Sequence, residues 1–229
     1  MTSYLGDDRQ CSCAEVRRSA PKCAGTSFRK ILDSIFGRHI WHNYGDVFTR
    51  EQARTKIVPG KIRAIHGHFI ADAFDDLFPR RRLITWVRHP VERLVSNYYH
   101  YLRAPDMRDD CCRMVHERRL GLRDFADLDW MRNMSTRYLA GKPIEDFAFV
   151  GVAERFGESL EAFSRALGFR RVLAMPRENV NPGRASDRYP LSPADHSCLL
   201  ERNQLDLDWY EKACRRLDQR ERVETSQVA

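Results

Sequence analysis

The turn Pro21-Lys22-Cys23-Ala24-Gly25-Thr26-Ser27 constrains this chain more than any other stretch. It gathers small and hydroxyl residues around one lysine, and a helix starts from it. Phe28, Ile31, Leu32, Ile35 and Phe36 fall at i, i+3, i+4, i+7 and i+8, the spacing of one apolar helix face. Gly37 stands where a helix-stopping glycine is expected. Backbone N–H groups at such a turn, helped by the helix dipole, form an anion site. Lys22 comes before Gly25 rather than after it, so this is not the nucleoside-triphosphatase loop, whose Lys-Ser/Thr pair follows the last glycine. The plain alternative is an ordinary helix entry with a Thr or Ser cap.

The rest of the chain alternates strands and helices. Residues 61–69 predict a short strand that ends in His66-Gly67-His68. Residues 83–87 predict a clearer strand, and Pro90 suits the first position of the helix after it. In that helix Val91, Leu94, Val95, Tyr98, Tyr99 and Leu102 mark the expected buried face, with Glu92 and Arg93 facing outward. Further strands are expected at 147–152 and 171–175, a helix near 155–166, and a long helix over 192–217 with a break near Asn203. The expected fold is α/β, a P-loop-like three-layer arrangement in which a central, mainly parallel sheet is flanked by helices. Its domain covers 18–217. Residues 1–17 read as a poorly ordered N-terminus, the arginine-rich stretch 103–140 as a helical insertion or lid, and 218–229 as a polar tail.

Composition narrows the partners. A chain of 229 residues suits one domain. Its net charge of +7, with arginine well ahead of lysine, points to an anionic partner gripped through planar, forked contacts. The cysteine count is odd at seven, and Cys111 and Cys112 are adjacent. That argues against a secreted disulfide framework and for a reducing, cytoplasmic location, with peripheral attachment to a membrane left open. No apolar run approaches the roughly 18 residues of a membrane span. Cys112 and His116 share a helix face, and Cys11 and Cys13 are close, but no four-ligand zinc spacing results. No metal is expected.

A second cluster carries chemistry. Arg88 ends the 83–87 strand, where ligands sit in open α/β sheets, and Ser96 lies two turns into the next helix. Together they could hold a phosphate. Separately they read as a solvated strand cap and a surface serine.

The two clusters together resemble the sulfotransferases that use 3′-phosphoadenosine 5′-phosphosulfate (PAPS). Lys22, Gly25, Thr26 and Ser27 are similar to that superfamily's 5′-phosphosulfate loop, and Arg88, Pro90, Arg93 and Ser96 to its R-x-P-x-x-R-x-x-S 3′-phosphate motif. His66-Gly67-His68-Phe69 looks like the carbohydrate branch, which includes the heparan sulfate 2-O-sulfotransferases and bacterial relatives. Residues 135–141, 149–160, 178–182 and 203–210 look like that branch too, so the resemblance covers roughly 18–217. It departs at Cys23-Ala24, where Thr-Ala or Thr-Gly is more usual, and at His89, which replaces a frequent Asp.

The resemblance implies a PAPS-dependent O-sulfotransferase that acts on a saccharide or glycoconjugate hydroxyl and releases 3′,5′-adenosine bisphosphate (PAP). It implies that Lys22, Cys23, Ala24, Gly25, Thr26 and Ser27 cradle the 5′ side of the donor. Arg88 and Ser96 would anchor the 3′-phosphate, and Asn179 and Arg184 would close over the nucleotide. Lys22 would meet charge on the leaving oxygen, His68 would take the acceptor proton, and His66 would orient it. An imidazole near neutrality suits that task. The competing readings are a small P-loop kinase, a basic module that binds nucleic acid, and an inactive relative. The sulfotransferase reading expects no nucleic-acid partner and leaves the oligomeric state open.

Overall fold

A computed structural model describes residues 2–5, 23, 25–43, 61–73, 75, 81–103, 105–107, 109–169 and 189–228. Lys22, Ala24, Asn179, Arg184 and the expected strand at 171–175 lie outside the described residues.

The described strands form one five-stranded sheet in the order β2-β3-β1-β4-β5. They are β1 (Thr2–Leu5), β2 (Ile40–Asn43), β3 (Ala64–Gly67), β4 (Arg82–Val87) and β5 (Phe147–Val152). β2 runs parallel to β3, and β4 to β5, while β1 is antiparallel to both β3 and β4. Four strands therefore point the same way, and the sheet is parallel except at its centre. The short strand Thr2–Leu5 falls within the segment 1–17, which the sequence reads as a poorly ordered N-terminus. β3 and β4 each present a row of backbone groups that need partners, and β1 supplies both rows.

The turn cluster feeds α1 (Gly25–Phe36), and Gly37 ends it at φ +52°, as its position suggests. Phe28 and Leu32 of α1 are fully buried. Phe28 packs against Trp86 of β4 at 5.1 Å and against Phe163, in the helix that follows β5, at 5.0 Å, centroid to centroid. Gly151 lets this layer close, because a Cβ there would lie 2.6 Å from the Trp86 ring.

β4 leads through Arg88 and His89 into α2 (Pro90–Arg103), which begins on the proline as expected. Its buried face differs from the sequence reading. Tyr99 and Leu102 are 38% and 40% exposed, and Tyr101 is buried instead. Glu92 and Arg93, expected to face outward, are buried too. Arg93 is drawn in by Asp206, and Glu92 meets Arg88 and the Tyr189 N–H, while the stretch 103–140 explains the exchange of Tyr99 and Leu102 for Tyr101. That stretch folds into α3 (Asp110–Glu117), α4 (Leu122–Asp127) and α5 (Met134–Tyr138). These pack a second core on α2, with Cys112, Val115, Phe125 and Met131 against Leu94, Val95 and Tyr101. The segment is thus part of the packed body.

After β5 come α6 (Phe156–Leu167), which carries Phe163, and then α7 (Pro193–Glu201) and α8 (Gln204–Val228), broken at Asn203 as the sequence suggests. The last helix continues through the expected polar tail to Val228. Arg216 donates to the carbonyls of Ile144 and Phe147, and Arg220 to that of Ala148 at 3.1 Å, which ties α8 to the start of β5.

Two helix starts cap each other. Asp206 of α8 accepts from the backbone of Ser135 at 3.0 Å and of Thr136 at 2.7 Å. Asn133 in return accepts from the backbone of Leu205 at 3.0 Å and of Asp206 at 3.2 Å. Arg93 lies beneath, its Nη2 3.7 Å from Asp206 Oδ2, both side chains out of solvent. Removing one partner of such a pair strands the other charge. Asp206→Ala should therefore cost about 3–5 kcal/mol in urea unfolding, while Asp208→Ala on the exposed side of the same helix should stay within about 0.5 kcal/mol.

Candidate functional site

Because β2, β3, β4 and β5 point the same way, their C-terminal ends share one edge of the sheet. His66, Gly67 and His68 stand at the end of β3, Arg88 just beyond β4, and Glu154 just beyond β5. That is the edge at which open α/β sheets take ligands.

The start of α1 joins this edge through His66. The His66 side chain is fully buried, hydrogen-bonds the Gly25 backbone, and lies with its ring 5.9 Å from Phe28 and 5.8 Å from His42. Burial, followed by the charges of His42 and His68, holds its pKa well below the ordinary imidazole value. The ring is therefore neutral and docks the turn onto β3. His42 is in turn fixed by Asp33 of α1, Nε2 to Oδ1 at 2.6 Å. Gly67 separates the two histidines for lack of room. A Cβ there would lie 1.8 Å from the Asn43 carbonyl oxygen, to which His68 N–H donates at 2.9 Å. His68 is half-buried, so of the two it is the one with access to a solvent-borne substrate.

Gly25, Thr26 and Ser27 form the first turn of α1, which carries no acidic side chain. Such N–H groups have no intrahelical carbonyl to bond, and no acidic side chain of this turn offsets the positive end of the dipole. Cys23 is buried just before them, and its burial pushes the thiol pKa up, against the pull of the Arg93 and Arg88 charges. A neutral thiol is a packing group, not a nucleophile. That Arg88, Arg93 and Glu154 all act on Cys23 puts the turn and the strand-end arginine in one neighbourhood.

Arg88 is held between two carboxylates. Its Nη2 is 3.5 Å from Glu92 Oε2 and its Nε 3.8 Å from Glu154 Oε1, with the side chain 14% exposed. Glu92 also accepts from Tyr189 N–H at 3.2 Å, and Tyr189 stacks on exposed Tyr99 at 5.4 Å. Glu154 accepts from His89 N–H at 3.0 Å. Its carboxyl pKa is raised, mainly by burial. The Tyr210 hydroxyl is raised as well, by burial and then by the Glu154 charge. Ser96 is half-buried in the second turn of α2. The sequence reading placed Glu92 on the outward face and did not single out Glu154, Tyr210 or His42. Glu154 was findable, since it follows β5 as Arg88 follows β4.

Among the described residues no group of three or more His, Cys, Asp or Glu side chains could hold a metal ion, and no helix is long and apolar enough to cross a membrane.

The start of a helix, a histidine and an arginine held by two carboxylates thus share one edge of an α/β sheet. The family profile described as the sulfotransferase family matches residues 18–213, and the chain belongs to that family. Its activity is accordingly the transfer of a sulfuryl group. No curated protein and no solved structure matches the chain.

The depressed His66 pKa has a sign. Its stabilising contribution is complete above the unfolded value of 6.5 and is lost as pH falls below it, because the unfolded chain then binds the proton more readily. Urea midpoints should fall as pH drops from 7 through 5. His66→Asn, which can still donate to Gly25, should flatten that slope.

Proposed function

We propose that the chain is a PAPS-dependent O-sulfotransferase whose acceptor is a hydroxyl of a saccharide or glycoconjugate. The observation that carries this reading is the shared edge, with the start of α1, His68 and Arg88 gathered at the C-terminal ends of parallel strands. The residues present fit the donor. The first turn of α1, with no acidic side chain, suits its 5′-phosphosulfate. Arg88, with Ser96 on the following helix, suits its 3′-phosphate.

The donor supplies the sulfuryl group. His68 takes the proton from the acceptor hydroxyl as its oxygen bonds to sulfur. The bond from sulfur to the bridging oxygen breaks on the far side, and the electron pair leaves on the phosphate of PAP. Lys22 and the N–H groups of Gly25, Thr26 and Ser27 stabilise the charge that grows there. Preorganised donors of this kind are worth about 2.7–4 kcal/mol each. Asn179 and Arg184 complete the nucleotide site by resemblance.

Calorimetric titration should show PAP binding far more tightly than AMP, which lacks the 3′-phosphate. Arg88→Lys should weaken PAP strongly and AMP little, because a forked contact becomes a point contact. Equal affinity for the two nucleotides would sink the assignment.

Turnover gives a second check. His68→Ala should lower kcat by about 10²–10⁴-fold with PAP affinity nearly unchanged. Lys22→Ala should lower kcat on the order of 10²-fold while PAP binding falls less. A Lys22→Ala enzyme with normal kcat and a raised KM would mean that the lysine binds ground and transition states alike.

A further inference from the structure

Arg88 is a long side chain on a two-residue connection between β4 and α2. A guanidinium recognises phosphate through a planar fork, so its plane and its distance must both be set. Glu92 on the following helix meets it from one side, and a second restraint comes from the neighbouring strand. Glu154 follows β5, and one of its oxygens, Oε1, meets two groups of the Arg88 turn: His89 N–H at 3.0 Å and Arg88 Nε at 3.8 Å.

We infer that Glu154 is the positioning residue of the Arg88 phosphate site, acting through the reach of its side-chain oxygen to the 88–89 turn. This rests on the reading of Arg88 as the 3′-phosphate contact. Three features support it. Glu154 Oε1 bonds the backbone just after Arg88 and stands at ion-pair distance from the guanidinium, so one atom bears on both the turn and the side chain. Glu92 braces the guanidinium from the α2 side at 3.5 Å, which leaves Glu154 as the brace from β5. The Tyr210 hydroxyl of α8 lies near enough for the Glu154 charge to help raise its pKa, so α8 closes the same corner. The closer of the two contacts is the one to His89 N–H, a hydrogen bond that a neutral oxygen at the same place would also accept, while the guanidinium lies beyond hydrogen-bond distance. The reach of the side chain is therefore the feature to test against its charge.

The test separates reach from charge with paired variants, read as PAP and AMP affinities by calorimetry. Glu154→Gln keeps the reach and loses the charge. Glu154→Asp keeps the charge and falls short by one methylene. AMP affinity serves as the control for an intact fold and α1 turn. The expected result is that Glu154→Gln retains most of the preference for PAP over AMP, while Glu154→Asp and Glu154→Ala lose it on the order of tenfold, AMP affinity staying within about twofold throughout. In an Arg88→Ala background, Glu154→Ala should change PAP affinity less than about twofold, since the effect runs through Arg88.

Several outcomes would overturn the inference. Glu154→Ala could leave the preference intact, or lower PAP and AMP affinity equally. Glu154→Asp could outperform Glu154→Gln. The loss could persist without Arg88. A wild-type protein that binds PAP and AMP equally would instead bring down the reading of Arg88 itself, and this inference with it.

Discussion

Arg93 carries its charge where no water reaches, and the surroundings are arranged around that fact. Asp206 balances it across 3.7 Å, and the Met131 carbonyl accepts from it at 3.3 Å. A buried ion pair adds little net stability by itself, because desolvation offsets the attraction. What it fixes is geometry. Arg93 stands on α2, one turn beyond the residues that face the ligand edge, while Asp206 opens α8 and caps α5. Three helices distant in sequence thus meet at one point, and α2 cannot turn about its axis without breaking it. The Arg88 turn and Ser96 inherit their direction from that lock.

Much of the frame was legible because it is local. Strands at β3, β4 and β5, the proline start of α2, the Gly37 stop and the break at Asn203 all follow from periodicity and from residues with fixed backbone preferences. The failures have a common cause. Arg93 and Glu92 look like surface residues on any helical wheel, and only Asp206, in a distant part of the chain, gives Arg93 a reason to be inside. Tyr99 and Leu102 share the expected apolar face, yet α3 and α4 pack against the side that Tyr101 occupies. The β1 segment is four residues long and has no period to read. Its place is decided by two partners, 64–67 and 82–87, that need their backbone groups met.

The candidate site divides along the same line. Arg88, Ser96, His66 and His68 stand out because strand ends and short spacings expose them. Glu154 was visible as a residue of a family-like stretch, but its chemistry appears only when β5 is laid beside β4 in register. Gly67 had a similar hidden meaning. The sequence shows only a strand that ends in His66-Gly67-His68, whereas the neighbouring Asn43 backbone leaves no room for a side chain between the two histidines.

The arginines that α8 lays on β5 make the attachment of the last helix partly independent of side-chain packing. Arg216 claims carbonyls at Ile144 and Phe147, and Arg220 that of Ala148. These are main-chain groups, which no side-chain substitution on the strand removes. The strand can therefore drift in sequence while the helix keeps its grip on it.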